Sequence, residues 1–152
     1  MAGRDGAPFA SKELGVKTAN GPMKRSIQIL VVDDEPLIAQ PLVDALAAEG
    51  YEIDVAVNGQ RALEKINDRA YDLILSDLRM PELDGVGLCQ ELERRRPDLL
   101  RRMIFITGAI EHPDYQGFLA QTQVPVLAKP FSLSALHTLT RQVLSTTRPD
   151  AE

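Results

Sequence analysis

Residues 72–85 read DLILSDLRMPELDG, and this stretch passes from a short apolar run through a carboxylate into a turn. The run at residues 73–75 is typical of a strand that is buried on both faces. Proline, aspartate and glycine within residues 81–85 predict a loop directly after it. Asp77 is therefore expected at the mouth of a strand, where ligands bind in open α/β sheets.

The rest of the chain repeats this order of strand and helix. The predicted strands are residues 29–32, 51–57, 72–76, 103–106 and 124–127. Strands that alternate with helices through right-handed crossovers imply a parallel sheet covered on both faces, an α/β fold of the (βα)5 type. Pro125 denies the last strand one ladder hydrogen bond, which places that strand at a sheet edge.

Prolines, glycines and a serine mark the predicted helix ends. Pro36 suits the first turn of the first helix, and Gly50 ends that helix. Pro41 falls where a backbone N–H should bond one turn back, so this helix either starts late or bends. Ser132 is predicted to cap the final helix. The apolar face of the first helix is predicted to hold Ile38, Leu42, Ala45, Leu46 and Ala48.

Length and charge restrict the class of protein. The chain has 152 residues, enough for one domain with a sizeable core, and 22 acidic against 17 basic residues give a net charge of −5. Residues 1–25 carry five basic and two acidic side chains, +3, which leaves 12 basic and 20 acidic, −8, for residues 26–152. An acidic domain repels nucleic acid and anionic lipid, so neither is expected as a partner.

Cysteine and histidine are too scarce for two further kinds of site. Cys89 is the single cysteine, so no intrachain disulfide can form. With only His112 and His137 beside it, a zinc site is not expected. Cys89 lies on an apolar helical stripe and is predicted to be core, whereas both histidines are predicted on the surface without a ligand or base role.

The chain divides into three parts. Residues 1–25 are predicted to form a flexible N-terminal extension or linker, residues 26–147 the folded domain, and residues 148–152 a C-terminal tail. We find no apolar run long enough for a signal peptide or a membrane span. The sequence therefore predicts a soluble, cytoplasmic protein that does not contact a membrane.

Four of the predicted strands end on polar side chains. These are Asp33-Asp34, Asp77, Thr107 and Lys129. Because the carboxyl ends of parallel strands meet at one edge, we expect these groups in a single crevice. Carboxylates so close together raise one another's pKa unless a cation is present. Oxygen ligands with one or two direct carboxylates fit Mg²⁺, with Mn²⁺ as an alternative, and Mg²⁺ commonly completes its shell with phosphate oxygen.

A phosphoryl group on Asp77 would give each neighbour a role. Mg²⁺ and Lys129 would neutralise its charge, and the Thr107 hydroxyl would donate a hydrogen bond. A carboxylate can act as the nucleophile that forms an acyl phosphate. The chain has no GxxxxGK[ST] motif for ATP, so the phosphoryl donor is expected to be another molecule.

Each of these residues also has a simpler interpretation. Asp77 could simply be a turn-forming residue after a strand. Asp33 and Asp34 could cap the first helix, and Thr107 could be a structural residue at a strand end. Their occurrence together favours the functional interpretation, because one acid is enough for a cap and a lysine buried without acids is costly.

Over residues 27 to about 146 the chain resembles the CheY-like receiver domain of two-component response regulators. The resemblance rests on four spaced motifs in the family's order: the acidic pair Asp33-Asp34, DxxMPxxDG at residues 77–85, Thr107-Gly108, and Lys129-Pro130-Phe131. It implies a flavodoxin-like three-layer sandwich whose parallel five-stranded sheet has the order 2-1-3-4-5. It also implies a signalling phosphoacceptor rather than an enzyme acting on other molecules.

The same resemblance implies a donor and a set of ligands. Asp77 would take the phosphoryl group from a phosphohistidine on a histidine kinase or a histidine phosphotransfer protein, and would then signal to a downstream protein. Asp34 and Asp77 would bind Mg²⁺ directly, Asp33 through water, and Arg79 through its backbone carbonyl. The backbone N–H groups of Arg79 and Gly108 would face the phosphoryl oxygens. The Lys129-Pro130 bond is expected to be cis, and a homodimer through the fourth and fifth helices is a habit of the family.

Three positions depart from the family pattern. Val126 stands three residues before the motif lysine, where receivers usually carry a Tyr or Phe that rotates between exposed and buried positions. Our hypothesis is that activation moves the loops after the third and fourth strands more than residue 126. Gly108 replaces the more usual Ala or Ser. Arg79 either screens the phosphoryl group from water or simply lies on the surface.

Several functions remain open from sequence alone. The first is a stand-alone receiver, and its variant is a receiver fragment of a hybrid histidine kinase, which residues 125–136 (PVLAKPFSLSAL) resemble. The second is an aspartate-nucleophile phosphohydrolase, although Arg79 stands where such enzymes place a second acid. The third is a binding module that is never phosphorylated.

Overall fold

Five parallel strands alternate with five α-helices in the computed structural model, which describes residues 26–147. The strands are β1 (Gln28–Val32), β2 (Glu52–Ala56), β3 (Leu73–Ser76), β4 (Met103–Thr107) and β5 (Val126–Ala128). The helices are α1 (Pro36–Ala48), α2 (Gly59–Asp68), α3 (Gly85–Arg95), α4 (Pro113–Gln121) and α5 (Leu133–Thr147), with a 3₁₀ helix at Pro97–Arg102. The predicted extension at residues 1–25 and the predicted tail at residues 148–152 lie outside the described residues.

The sheet has the strand order β2-β1-β3-β4-β5, which confirms the predicted topology. All four strand pairs are parallel. β5 is an edge strand, as expected from Pro125, but it begins only at Val126 rather than at Val124. The Pro125 carbonyl still accepts a hydrogen bond from the Phe105 N–H at 2.9 Å. Because proline offers no N–H in return, regular pairing starts one residue later.

Two apolar clusters cover the two faces of the sheet. Residues alternate between them along β3: Ile74 packs with α2 and α3, while Leu73 and Leu75 pack with α1 and α5. Each of the three is essentially inaccessible to solvent. The strand that opens the sequence motif is therefore buried on both faces, as predicted, and its end is held rigidly in the middle of the sheet.

Helix α1 corrects one prediction and resolves another. It begins at Pro36 and continues through Pro41, so it does not start late. Its buried stripe is formed by Ala39, Leu42 and Leu46, which are spaced three and four residues apart. Ile38 was predicted on this stripe but is 62% exposed, because it lies in the first turn of α1, where it lines an open cavity with Leu133 instead of packing into the core. Ala48 is exposed as well.

Polar residues cap the helices near the site. Ser132 accepts a hydrogen bond from the Ala135 N–H at 3.0 Å, as predicted. Asp84 caps α3 by accepting from the Gly87 N–H at 2.9 Å. His112, which was predicted on the surface, is half-buried and caps α4 through Nδ1, which accepts from the Asp114 N–H at 3.1 Å.

Two further predictions concern buried and exposed positions. Cys89 is buried in the core, as predicted. His137, also predicted on the surface, is half-buried, and its Nδ1 atom is enclosed. Between residues 26 and 147, none of the helices combines the length and the apolar character that crossing a bilayer requires.

Candidate functional site

The polar residues at the strand ends meet at the carboxyl edge of the sheet. Backbone hydrogen bonds extend the ladder past the strands and hold these residues in place: the Asp77 N–H donates to the Val32 carbonyl at 3.0 Å. The Lys129 N–H likewise donates to the Thr107 carbonyl at 2.8 Å. The sheet itself therefore sets the positions of the candidate side chains.

Three carboxylates form the acidic part of the site. Asp33, Asp34 and Asp77 each offer an oxygen, and these oxygens all lie within 4.8 Å of one another. Asp33 is buried, Asp77 is half-buried and Asp34 is exposed. Burial raises the pKa of Asp33, with the charges of Asp77 and Asp34 adding to the rise, against the Glu35 N–H and Lys129, which lower it. A hard divalent cation fits this set of oxygens, because it offsets both the burial and the mutual repulsion.

Asp77 is held by donors on both of its oxygens. Its Oδ1 accepts from the Leu78 N–H at 2.7 Å and from the Arg79 N–H at 3.4 Å. Its Oδ2 accepts from Lys129 Nζ at 3.3 Å. Lys129 Nζ also lies 3.7 Å from Asp33 Oδ2, so one ammonium group bridges two acids. The arrangement surrounds the Asp77 carboxylate with N–H donors and a cation, which can stabilise negative charge added at this position.

Neither acid of the first pair caps α1, which removes one of the simpler interpretations. The N-cap of α1 is Glu35, whose side chain makes no capping bond. Asp33 Oδ1 instead accepts from the Glu35 N–H at 2.9 Å, which closes a local turn. Asp34 lines the cleft beside Asp77.

Thr107 is fully buried at the end of β4 and lines the same cleft, which has a volume of about 530 Å³. Its Oγ1 accepts from the Ala109 N–H at 2.9 Å. A threonine hydroxyl both accepts and donates, so its proton remains available to a group bound in the cleft. Arg79 is exposed at the mouth of this cleft, and Gly108 also lines it.

The loop after Asp77 is closed tightly against its own start. The Gly85 N–H donates to the Leu78 carbonyl at 2.9 Å. A Cβ atom on residue 85 would lie 2.3 Å from the Asp77 carbonyl oxygen, so only glycine fits. Glu82 has a φ of 66°, the left-handed backbone conformation that non-glycine residues rarely adopt. The Asp-Gly pair in the sequence was the signal for this closure.

The remaining predicted features are placed as follows. The Lys129-Pro130 bond is cis, as predicted. A Cβ atom on Gly108 would meet its nearest neighbour, Lys129 Cβ, at 3.9 Å, so alanine would also fit there. Val126 is half-buried and packs among the side chains that α4 directs toward the core.

Sequence reasoning missed the contribution of the β4–α4 loop and α4. His112 lines the cleft together with Glu35 and Glu111. Tyr115 donates a long hydrogen bond to Asp84, at 3.5 Å. The motif HPD at residues 112–114 suits a helix start, but the direction in which α4 leaves the sheet depends on packing that a periodic pattern does not specify.

Residues 29–141 match the family model described as the response regulator receiver domain. The chain belongs to this family. Receiver domains are signalling domains of two-component systems. The sensor kinase CckA of Brucella abortus is 35% identical over 142 residues, which cover 92% of this chain and 15% of that kinase. Across the other curated relatives reported with it, the match spans between 27% and 53% of their length.

Solved structures agree with this assignment. The receiver domain of sensor histidine kinase PA1611 from Pseudomonas aeruginosa, with a magnesium ion coordinated in its active site cleft, superposes with a TM-score of 0.71 at 26% identity. That match covers 80% of this chain and 99% of the other. The response regulator TrrA of Thermotoga maritima, in complex with Mg²⁺-BeF, gives 0.67 at 33% identity and covers 77% and 98%.

Proposed function

We propose that this receiver domain accepts a phosphoryl group on Asp77 from a phosphohistidine of a histidine kinase or histidine phosphotransfer protein, and then signals to a downstream protein. The observation that carries the proposal is the bridge from Lys129 Nζ to Asp77 Oδ2 beside two further carboxylates. A structural turn would need neither the lysine nor the second and third acids.

The proposed transfer is a displacement at phosphorus. A carboxylate oxygen of Asp77 forms the new O–P bond, the N–P bond breaks, and the imidazole nitrogen leaves with the bonding electron pair. Lys129 and the Arg79 N–H, which already contact Asp77, stabilise the added charge. The Thr107 hydroxyl and the Gly108 N–H complete the proposed set of donors. Hydrolysis of the same acyl phosphate by water would reset the site.

Mg²⁺ is the proposed cofactor, and Mn²⁺ would suit the same oxygens. Asp34 and Asp77 would bind it directly, Asp33 through water, and Arg79 through its carbonyl. When bound, the ion supplies positive charge to the phosphoryl oxygens. The clustered carboxylates support the proposal, as do the magnesium ions in the two similar solved structures.

The surface beside the acceptor suits a protein donor. Leu37, Ile38 and Leu133 are 87%, 62% and 57% exposed. Ile38 and Leu133 line a cavity of about 320 Å³ that also reaches Asp77 and Lys129. Exposed large apolar side chains next to a reactive group are typical of a protein interaction site. A small-molecule phosphate donor would not require such an exposed apolar surface.

The domain could belong to either of two kinds of protein. It acts as a stand-alone receiver, or it is the receiver part of a hybrid histidine kinase with residues 1–25 as linker. A sensor kinase matches over 92% of this chain, and transcriptional and response regulators match over 69–85% of it, so the comparisons support a receiver domain in either setting. A phosphohydrolase is the less favoured alternative, because the exposed Arg79 stands where a second acid would be needed.

The proposal is tested with Mg²⁺ and acetyl phosphate. Intact-protein mass spectrometry should show the mass of one added phosphoryl group on the wild-type chain, none on Asp77→Asn, and an unchanged gain on the exposed control Asp98→Asn. Chelation with EDTA should abolish the gain. Absence of any Asp77-dependent gain would overturn the proposal, and turnover of a chromogenic phosphoester would favour the phosphohydrolase.

A further inference from the structure

Helix α4 is held loosely over the sheet. None of its residues, Pro113–Gln121, is fully buried. It contacts the core through Tyr115, Phe118 and Leu119, all partly exposed. An element with few buried apolar contacts shifts at lower cost than a core helix. Two loops nevertheless connect the cleft to the first turns of α4 through hydrogen bonds: the loop after Thr107 and the loop after Asp77.

The first connection begins at Thr107. The Thr107 hydroxyl accepts from the Ala109 N–H, and the Ala109 carbonyl accepts from the His112 N–H at 3.0 Å. His112 Nδ1 then accepts from the Asp114 N–H in the first turn of α4. The start of α4 is thus tied to a hydroxyl that lines the cleft.

The second connection begins at Asp77. The loop that follows it is closed by the Gly85–Leu78 backbone bond and ends at Asp84. One oxygen of Asp84 caps α3, and the other accepts from the Tyr115 hydroxyl of α4. Burial and the charge of Asp84 both raise the pKa of Tyr115, which is consistent with this contact. The Tyr115–Asp84 hydrogen bond therefore joins the end of the loop at residues 78–84 to α4.

Aromatic rings near residue 126 come from β4 and α4 rather than from β5. Val126 is the register partner of Phe105 on β4. The Phe118 ring meets the Phe105 ring edge-on, with centroids 5.6 Å apart at 70°. Tyr115 packs in the same apolar cluster. Val126 has one side-chain torsion and cannot swing a ring between two positions.

We propose that the Tyr115–Asp84 pair couples phosphorylation of Asp77 to the position of α4, a role that Val126 cannot perform. This inference rests on the proposed function. A phosphoryl group on Asp77 would draw the N–H groups of residues 78–79 toward its oxygens, and the closed loop would carry Asp84 with it. Tyr115 would follow or lose its bond, and α4 would take a second position. Tyr115 is a positioning residue and not a catalytic one.

The test uses Mg²⁺ with beryllofluoride, which mimics a phosphoryl group, and amide NMR of the full chain. In the wild type, amide shifts are expected both in residues 78–84 and in residues 113–121. Tyr115→Phe removes only the hydroxyl, and it should keep the loop shifts while losing the α4 shifts. Asp84→Ser retains a helix cap but is too short to reach Tyr115, so it should give the same loss. Tyr51→Phe, a half-buried tyrosine elsewhere, is the matched control and should respond like the wild type.

The other possible outcomes would contradict the inference. A Tyr115→Phe chain whose α4 shifts equal those of the wild type would overturn the inference, as would a wild-type chain whose loop responds while α4 does not. A merely structural Tyr115 would change α4 before beryllofluoride is added and leave its response to the mimic intact. Absence of any loop shift in the wild type would refute the proposed function and this inference with it.

Discussion

Lys129 Nζ lies 3.3 Å from Asp77 Oδ2 and 3.7 Å from Asp33 Oδ2, and it joins two acids that follow different strands. Replacing Lys129 with Ala would leave both carboxylates without this cation and remove a donor from the proposed transition state. We expect the rate of Asp77 phosphorylation by acetyl phosphate to fall by about 10²–10³-fold. Intact mass measured over time checks this, with Lys65→Ala on α2 as the control. An unchanged rate for Lys129→Ala would contradict the role assigned to the ammonium group.

Arg79→Ala tests whether the exposed arginine at the mouth of the cleft screens the phosphoryl group. If it does, the phosphorylated half-life should shorten by up to about fivefold, since an exposed charge contributes about 0.2–1 kcal/mol. The decay of the added mass after removal of acetyl phosphate gives the half-life. Arg61→Ala on α2, also exposed, is the control. Equal half-lives in all three chains would show that Arg79 only lies on the surface.

Gly85→Ala should be damaging because its Cβ would fall 2.3 Å from the Asp77 carbonyl oxygen. We expect a loss of roughly 1–3 kcal/mol in the free energy of unfolding, together with slower phosphorylation. Urea unfolding measures the first quantity. Gly117→Ala is the control, because the space around it is empty and alanine favours the helix interior by roughly 0.5–1 kcal/mol. Similar effects of the two substitutions would show that the loop is not closed as described.

Alkaline pH should destabilise the chain through Tyr71. Burial and the 2.6 Å hydrogen bond to Asp54 raise the pKa of Tyr71 from 10.0 to about 12. Because the folded-state pKa is the higher one, the stabilisation is complete below pH 10 and is lost as the pH rises through about 12. Tyrosinate absorbance and urea unfolding across this range measure both effects. Asp54→Asn should lower the pKa of Tyr71, and a titration identical to the wild type would refute the link.

The sequence predicted the sheet and the acidic centre well because both follow from local patterns. Each strand end is marked by the polar residue that terminates an apolar run, and parallel topology then collects Asp33, Asp77, Thr107 and Lys129 at one edge. The cis bond before Pro130 was anticipated from the family resemblance rather than from any periodicity.

What the sequence did not show depends on how helices sit over the sheet. Ile38 lies one helical turn before the buried Leu42, yet it is 62% exposed because the first turn of α1 borders an open cavity rather than the core. The Tyr115–Asp84 bond joins residues 31 positions apart, in elements that a periodic pattern cannot orient. Such contacts need the packing of α4, which no motif in the chain specifies.

Lys129 follows β5, a strand of three residues that pairs only with β4 at the edge of the sheet. If this edge separates while the other four strands stay paired, the ammonium group leaves the acids and the domain keeps most of its core. The proposed phosphorylation of Asp77 would then be lost under milder conditions than those that unfold the domain. Heat or mild denaturant should therefore abolish the proposed phosphorylation of Asp77 before global unfolding begins, so the edge strand would limit the temperature range of the proposed function.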